Sequence, residues 1–135
     1  MNSQVNDQKP RLLVIEDDFE NQRLIVTYLK RKFEINVCDS EDTFKEQLEK
    51  NNFDVFLVDI SLKGPKDGLQ LVGELRKSEQ YSDAPIICIS AHVFPRDKQN
   101  AFKAGVDEFL SRPIRNEDML AAIVNVYNNK TGNNI

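Results

Sequence analysis

The chain has 135 residues, 40% of them hydrophobic and 30% charged, which fits one globular domain with room for a core. Its net charge of −4, with no basic stripe or aromatic-plus-basic platform, argues against nucleic-acid binding, and no apolar run approaches the ~20 residues that span a bilayer. The segment MNSQVNDQKPR lacks the apolar core of a signal peptide, so a cytoplasmic location is the default expectation.

Residues 1–10 are polar and end on Pro10, a loose lead-in. Leu12 to Ile15 are continuously apolar and read as a first strand ending on Glu16, Asp17 and Asp18. Leu24, Ile25, Tyr28 and Leu29 share a helical face, predicting a helix over 19–32 with Asp18 as its cap. Phe33 to Cys38 is a second strand. Ser40 then opens a capping pattern with Thr43 where Glu is ideal, before a helix over 41–50 with Phe44, Gln47 and Leu48 inward.

Val55, Phe56, Leu57 and Val58 are four consecutive apolar residues, as in a strand buried on both faces, and the run stops at Asp59. Lys63 to Gly68 is turn-rich, with Asp67–Gly68 read as turn chemistry. Leu69, Leu71, Val72 and Leu75 mark a helix ending near Glu79. Ile86 to Ser90 is a fourth strand. Pro95 starts a helix over 95–104, and Gly105 stops it. Val106 to Leu110 is a fifth strand, and a helix over 116–128 turns Met119, Leu120, Ile123, Val124 and Tyr127 inward. Residues 129–135 form a polar tail. Cys38 and Cys88 lack metal-type spacing and read as core filler.

Five strand–helix alternations imply right-handed crossovers and a doubly wound parallel sheet with helices on both faces. Periodicity leaves the strand order open between 3-2-1-4-5 and 2-1-3-4-5. In the second order, Glu16 and Asp17 stand beside Asp59 at neighbouring strand ends, ~5 Å apart. Carboxylates so close call for a hard divalent ion, and Mg²⁺ suits an oxygen-lined site with open positions. A carboxylate there can act as a nucleophile toward a phosphoryl donor. Ser90 offers a hydroxyl and Arg112 a fixed positive charge. The plainer readings are a solvated acidic loop for 16–18, a turn acid for Asp59, core for Phe109 and a surface loop for the lone histidine, His92. What those readings leave unexplained is that Glu16, Asp17, Asp59, Ser90 and Arg112 all fall at carboxyl ends of strands.

The segments LLVIEDD, DVFLVDISLKGPKDGLQL, PIICISA and GVDEFLSRPI resemble the receiver domain of two-component response regulators, over residues 11–128. The resemblance implies a flavodoxin-like α/β sheet of order 2-1-3-4-5. It implies Asp59 as acceptor of a phosphoryl group from a histidine kinase or phosphotransfer protein. Glu16, Asp17 and Asp59, with the backbone carbonyl of Ser61, would hold Mg²⁺, Asp17 most directly. Ser90 matches the switch hydroxyl and Phe109 the aromatic switch. His92 falls where the family varies the residue that tunes phosphate loss. The loop ISLKGPKDG is one residue longer than in many members. Arg112 stands in SRPI where the family has lysine, and the bond before Pro113 is expected to be cis.

The implied function is a single-domain response regulator, not an enzyme beyond self-catalysed phosphotransfer. Its output would run through protein contacts on the fourth helix, fifth strand and fifth helix, with no nucleic acid and no membrane. A weak homodimer stays among the partner readings. The alternative is a phosphorylation-independent binding module, in which Arg112 holds Asp59 in a permanent ion pair. A flavin carrier on the same fold is disfavoured, because acids replace a phosphate-cradling loop after the first strand.

Overall fold

A computed structural model describes residues 8–61, 67–91 and 94–135. Lys63 to Lys66 and His92 lie outside the described residues. The strands are β1 (Arg11–Ile15), β2 (Glu34–Cys38), β3 (Val55–Asp59), β4 (Ile86–Ser90) and β5 (Glu108–Ser111). The helices are α1 (Phe19–Leu29), α2 (Glu41–Lys50), α3 (Gly68–Lys77), α4 (Pro95–Ala104) and α5 (Asn116–Thr131). All pairings are parallel, and the order is β2-β1-β3-β4-β5. That selects 2-1-3-4-5 from the two orders the periodicity allowed.

Every residue of β3 and β4 is buried, because helices cover both faces of the sheet. Alternate side chains feed two layers. Leu13, Ile15, Phe56, Val58 and Cys88 meet Phe44 of α2, Leu71, Val72 and Leu75 of α3, and Ala101 of α4. Leu12, Val14, Val55, Leu57, Ile87 and Ile89 meet Ile25 and Leu29 of α1 and Met119, Ile123 and Tyr127 of α5. Cys38 and Cys88 are free and buried, and burial pushes both thiols up to about 12, as filler cysteines require.

The caps follow side-chain chemistry. Asp18 accepts from the Asn21 amide at the start of α1. The Ser40–Thr43 pair closes a full reciprocal box, since the Thr43 hydroxyl reaches the Ser40 amide at 3.0 Å. Asp67, read as turn chemistry, also builds a capping box, with Gln70, at the start of α3. Pro95 occupies the first turn of α4, and Gly105 ends it at φ 117°.

Several boundaries move from expectation. β5 begins at Glu108, not Val106, because the Val106 amide closes the end of α4 on Ala101 and the Asp107 carboxylate is held by Arg76. α1 stops at Leu29, where a turn takes the amides of Lys32 and Phe33 back to its last carbonyl. α3 ends at Lys77 with Ser78 as its cap, and α5 runs on to Thr131, with Gly132 in the left-handed region. On α1 only Ile25 and Leu29 of the expected apolar face are buried. Leu24 and Tyr28 are exposed, because α1 sits over the sheet on a narrow seam.

Candidate functional site

The register of two strands places the site. β1 and β3 are adjacent in register, with Ile15 opposite Val58, so Glu16 and Asp17 leave the sheet beside Asp59. The three carboxylates each offer an oxygen, and these oxygens lie within 4.8 Å of one another. They line an open crevice of about 810 Å³ with Asp39, Ser40 and Ser61, roomy enough for a hydrated ion.

Within it, the acids differ. Asp59 is 4% exposed, and its Oδ1 accepts the Ser61 amide at 2.8 Å, which fixes the carboxylate plane. Glu16 is 1% exposed, its Oε2 accepts the Asp18 amide at 3.1 Å, and its own carbonyl accepts Gln22 Nε2 at 2.6 Å. Burial pushes the Glu16 carboxyl up to about 7. The Asp18 amide opposes the rise, the Asp59 carboxylate adds to it, and the Arg112 guanidinium opposes it again. Asp17 is half-buried at the mouth.

Arg112 enters from β5 across the ends of β4 and β3. Its Nη2 donates to Glu16 Oε1 at 2.7 Å, and its Nη1 lies 3.5 Å from Asp59 Oδ2. The sequence pointed to Asp59 or phosphate as the partner of Arg112, yet the shorter contact is to Glu16. Strand parity puts both acids within reach of Arg112. Residues 55, 57 and 59 alternate together, and the same count carries Glu16 beyond Leu12 and Val14, and Arg112 beyond Leu110. All three therefore project on the α1/α5 side. The Arg112–Pro113 bond is cis, as expected.

Ser90 and Phe109 have the other parity. Ser90 is fully buried at the end of β4, and Phe109, 8% exposed, packs in the layer beneath α2, α3 and α4. Ser61 is exposed beside Asp59. The fold thus brings Glu16, Asp17, Asp59, Ser61 and Arg112 to one crevice, with Ser90 and Phe109 on the neighbouring strands behind it.

A parallel doubly wound sheet with an acidic crevice at its carboxyl edge defines a recognisable class. The family model for the response regulator receiver domain matches residues 12–124, and the chain belongs to that family. It is 36% identical over 126 residues to the regulatory protein VirG of Agrobacterium fabrum, covering 86% of this chain and 48% of that one. It is 34% identical over 131 residues to hybrid signal transduction histidine kinase I of Dictyostelium discoideum, covering 91% of this chain and 7% of the relative. The chain therefore spans half or less of these relatives.

Among solved structures, the Francisella response regulator 1452 receiver domain superposes with a TM-score of 0.80 at 25% identity, covering 90% of this chain and 98% of that one. The receiver domain of sensor histidine kinase PA1611 from Pseudomonas aeruginosa, solved with a magnesium ion in its active-site cleft, shares the fold at a TM-score of 0.78 and 22% identity, covering 88% of this chain and 98% of that one. Receiver domains are the phosphoacceptor modules of two-component signalling. Among the described residues, no helix is long and apolar enough to cross a membrane.

Proposed function

We propose that Asp59 accepts a phosphoryl group from a phosphohistidine on a histidine kinase or phosphotransfer protein, and that the receiver unit over 11–128 passes the change to protein partners in the cytoplasm. The observation that carries this reading is the convergence of three carboxylate oxygens within 4.8 Å beside a guanidinium. A carboxylate oxygen of Asp59 attacks phosphorus. The bond from phosphorus to the donor's imidazole nitrogen breaks, and the imidazole leaves with its electron pair and takes up a proton. The Ser61 amide on Oδ1 holds Asp59 in one plane for that attack.

The donor set suits Mg²⁺: all oxygen, acidic and open to water. Asp17 and Asp59 would hold the ion most directly, with Glu16 and the Ser61 carbonyl completing the set. The ion would supply charge neutralisation at the phosphoryl oxygens. Arg112 adds a fixed cation beside the same oxygens. Ser90 and Phe109, one strand and two strands away, would relay a change at Asp59 to the face built from α4, β5 and α5. Phe94, 70% exposed, and Phe102, 43% exposed, give the α4 face the apolar character of a partner surface.

One observation favours a second reading. Arg112 already ties Glu16 and Asp59 together, as a phosphorylation-independent module would need. Incubation with a small acyl phosphate and Mg²⁺ separates the two. The phosphorylation reading expects one added phosphoryl group by intact mass, absent in Asp59→Asn. An unmodified mass there, and also with a cognate kinase, leaves the binding-module reading.

A further inference from the structure

Resting on the reading of Glu16, Asp17 and Asp59 as a cation site, we propose that Arg112 competes with the divalent ion for Glu16, so that the guanidinium is a built-in antagonist of metal binding. Glu16 is engaged on both oxygens, by Arg112 Nη2 at 2.7 Å and by the Asp18 amide at 3.1 Å. The Arg112 pair is charge-assisted and shielded, with side-chain exposures of 25% for Arg112 and 1% for Glu16. The contact to Asp59 is looser, at 3.5 Å, so the guanidinium serves Glu16 first.

Geometry makes this a property of arginine. β1 and β5 stand three strand spacings apart, about 14 Å, with β3 and β4 between. The planar guanidinium spans to Glu16 with one amino group while the other faces Asp59. An ammonium is a single point of charge and does not divide itself in this way. A cation approaching the cluster therefore meets a positive group already paired with two of its three carboxylates, closely with Glu16 and loosely with Asp59. It binds through Asp17 and Asp59 alone, or it displaces Arg112 from Glu16.

The consequence is a specific non-additivity. While Arg112 holds Glu16, the Glu16 carboxylate contributes little to the ion, and once Arg112 is gone it contributes fully. The test is calorimetric titration with Mg²⁺ alone at pH 8, for wild type, Arg112→Met, Glu16→Gln and the double variant. Asp17→Asn reports on the site itself, and thermal melts followed by circular dichroism establish folding.

Arg112→Met is expected to tighten Mg²⁺ binding about tenfold. Glu16→Gln is expected to weaken binding about tenfold in the Arg112→Met background and by clearly less in wild type. Should Arg112→Met not fold, Arg112→Lys replaces it, and binding tighter than wild type supports the proposal. Equal affinity in wild type and the Arg112 variant overturns it, as does the same Glu16→Gln cost in both backgrounds, provided Asp17→Asn still abolishes binding. If Asp17→Asn leaves Mg²⁺ binding unchanged, the cation site itself is wrong and the competition falls with it.

Discussion

Two glycines of α3 show how closely the site is built against its support. A Cβ on Gly68 would stand 2.4 Å from the Asp59 carbonyl oxygen, 2.7 Å from Ile60 Cα and 2.9 Å from Val58 Cγ1. Two of those atoms are backbone, so relief requires the start of α3 or the end of β3 to move. A Cβ on Gly73, in the middle of the same helix, meets nothing within 4 Å. Gly68→Ala is therefore expected to lose about 1–3 kcal/mol by overpacking. Gly73→Ala is expected to gain about 0.5–1 kcal/mol by helix propensity. Urea unfolding of the two variants measures both, and opposite signs are the signature of a close approach at Gly68. Because the clash falls on the Asp59 backbone, Gly68→Ala should also slow phosphoryl transfer while Gly73→Ala leaves it unchanged. A stable, fully active Gly68→Ala would show that the helix yields without cost.

At the scale of elements, one side chain joins α3 to the connections around β4 and β5. Arg76 donates from Nε to the Gly105 carbonyl at 2.8 Å and from Nη1 to the Ala84 carbonyl at 2.7 Å, with the carbonyls of Tyr81 and Ser82 at 3.3 Å. Its Nη2 pairs with Asp107 at 3.1 Å, and Asp107 also accepts from the Ile86 amide and Lys130. Lone surface ion pairs contribute little, but an arginine whose side chain is 17% exposed and satisfies several carbonyls is a different case. Arg76→Met keeps the aliphatic stem and removes the donors. It is expected to cost about 2–3 kcal/mol in urea unfolding, and a loss below about 0.5 kcal/mol would place Arg76 among ordinary surface charges.

Such long-range ties explain what the sequence conveyed and what it withheld. β3 and β4 were legible because four or more consecutive apolar residues have few alternatives to a doubly covered strand. The acids were legible because Glu16, Asp17 and Asp59 end such runs. The start of β5 was not, because Val106 and Asp107 look like strand residues while serving the end of α4 and the Arg76 hub. The partner of Arg112 was hidden for a similar reason: Glu16 lies 96 positions away, and strand order and parity bring Glu16 and Asp59 to the same side as Arg112 without choosing between them. Gly68 gave no signal beyond a turn dipeptide, since close approach of two backbones has no local pattern.

For the whole molecule, the decisive feature is that one sheet serves two cores. Neighbouring residues of β1, β3 and β4 point to opposite layers, so the two layers share one sheet. The site depends on the same coupling, with Glu16, Asp59 and Arg112 on the α1/α5 side and Ser90 and Phe109 facing α3 and α4. Ile123 tests it far from the crevice. It is fully buried in the α1/α5 layer, and Ile123→Ala removes atoms from that layer alone. The expected cost is about 2–5 kcal/mol, depending on how far α5 settles into the space. The tyrosines report the layers separately: Tyr81 stacks edge-on against Phe56 in the α2–α4 layer, and Tyr127 against Phe33 in the other. With no tryptophan in the chain, tyrosine fluorescence in a Tyr127→Phe background follows Tyr81, with exposed Tyr28 as a constant contribution. If the sheet couples the layers, Ile123→Ala lowers the urea midpoint seen by Tyr81 as much as the midpoint seen by far-ultraviolet circular dichroism, with an unchanged slope. Separate midpoints would mean that the α1/α5 layer unfolds alone. A signal could then reach α5 without passing through the sheet.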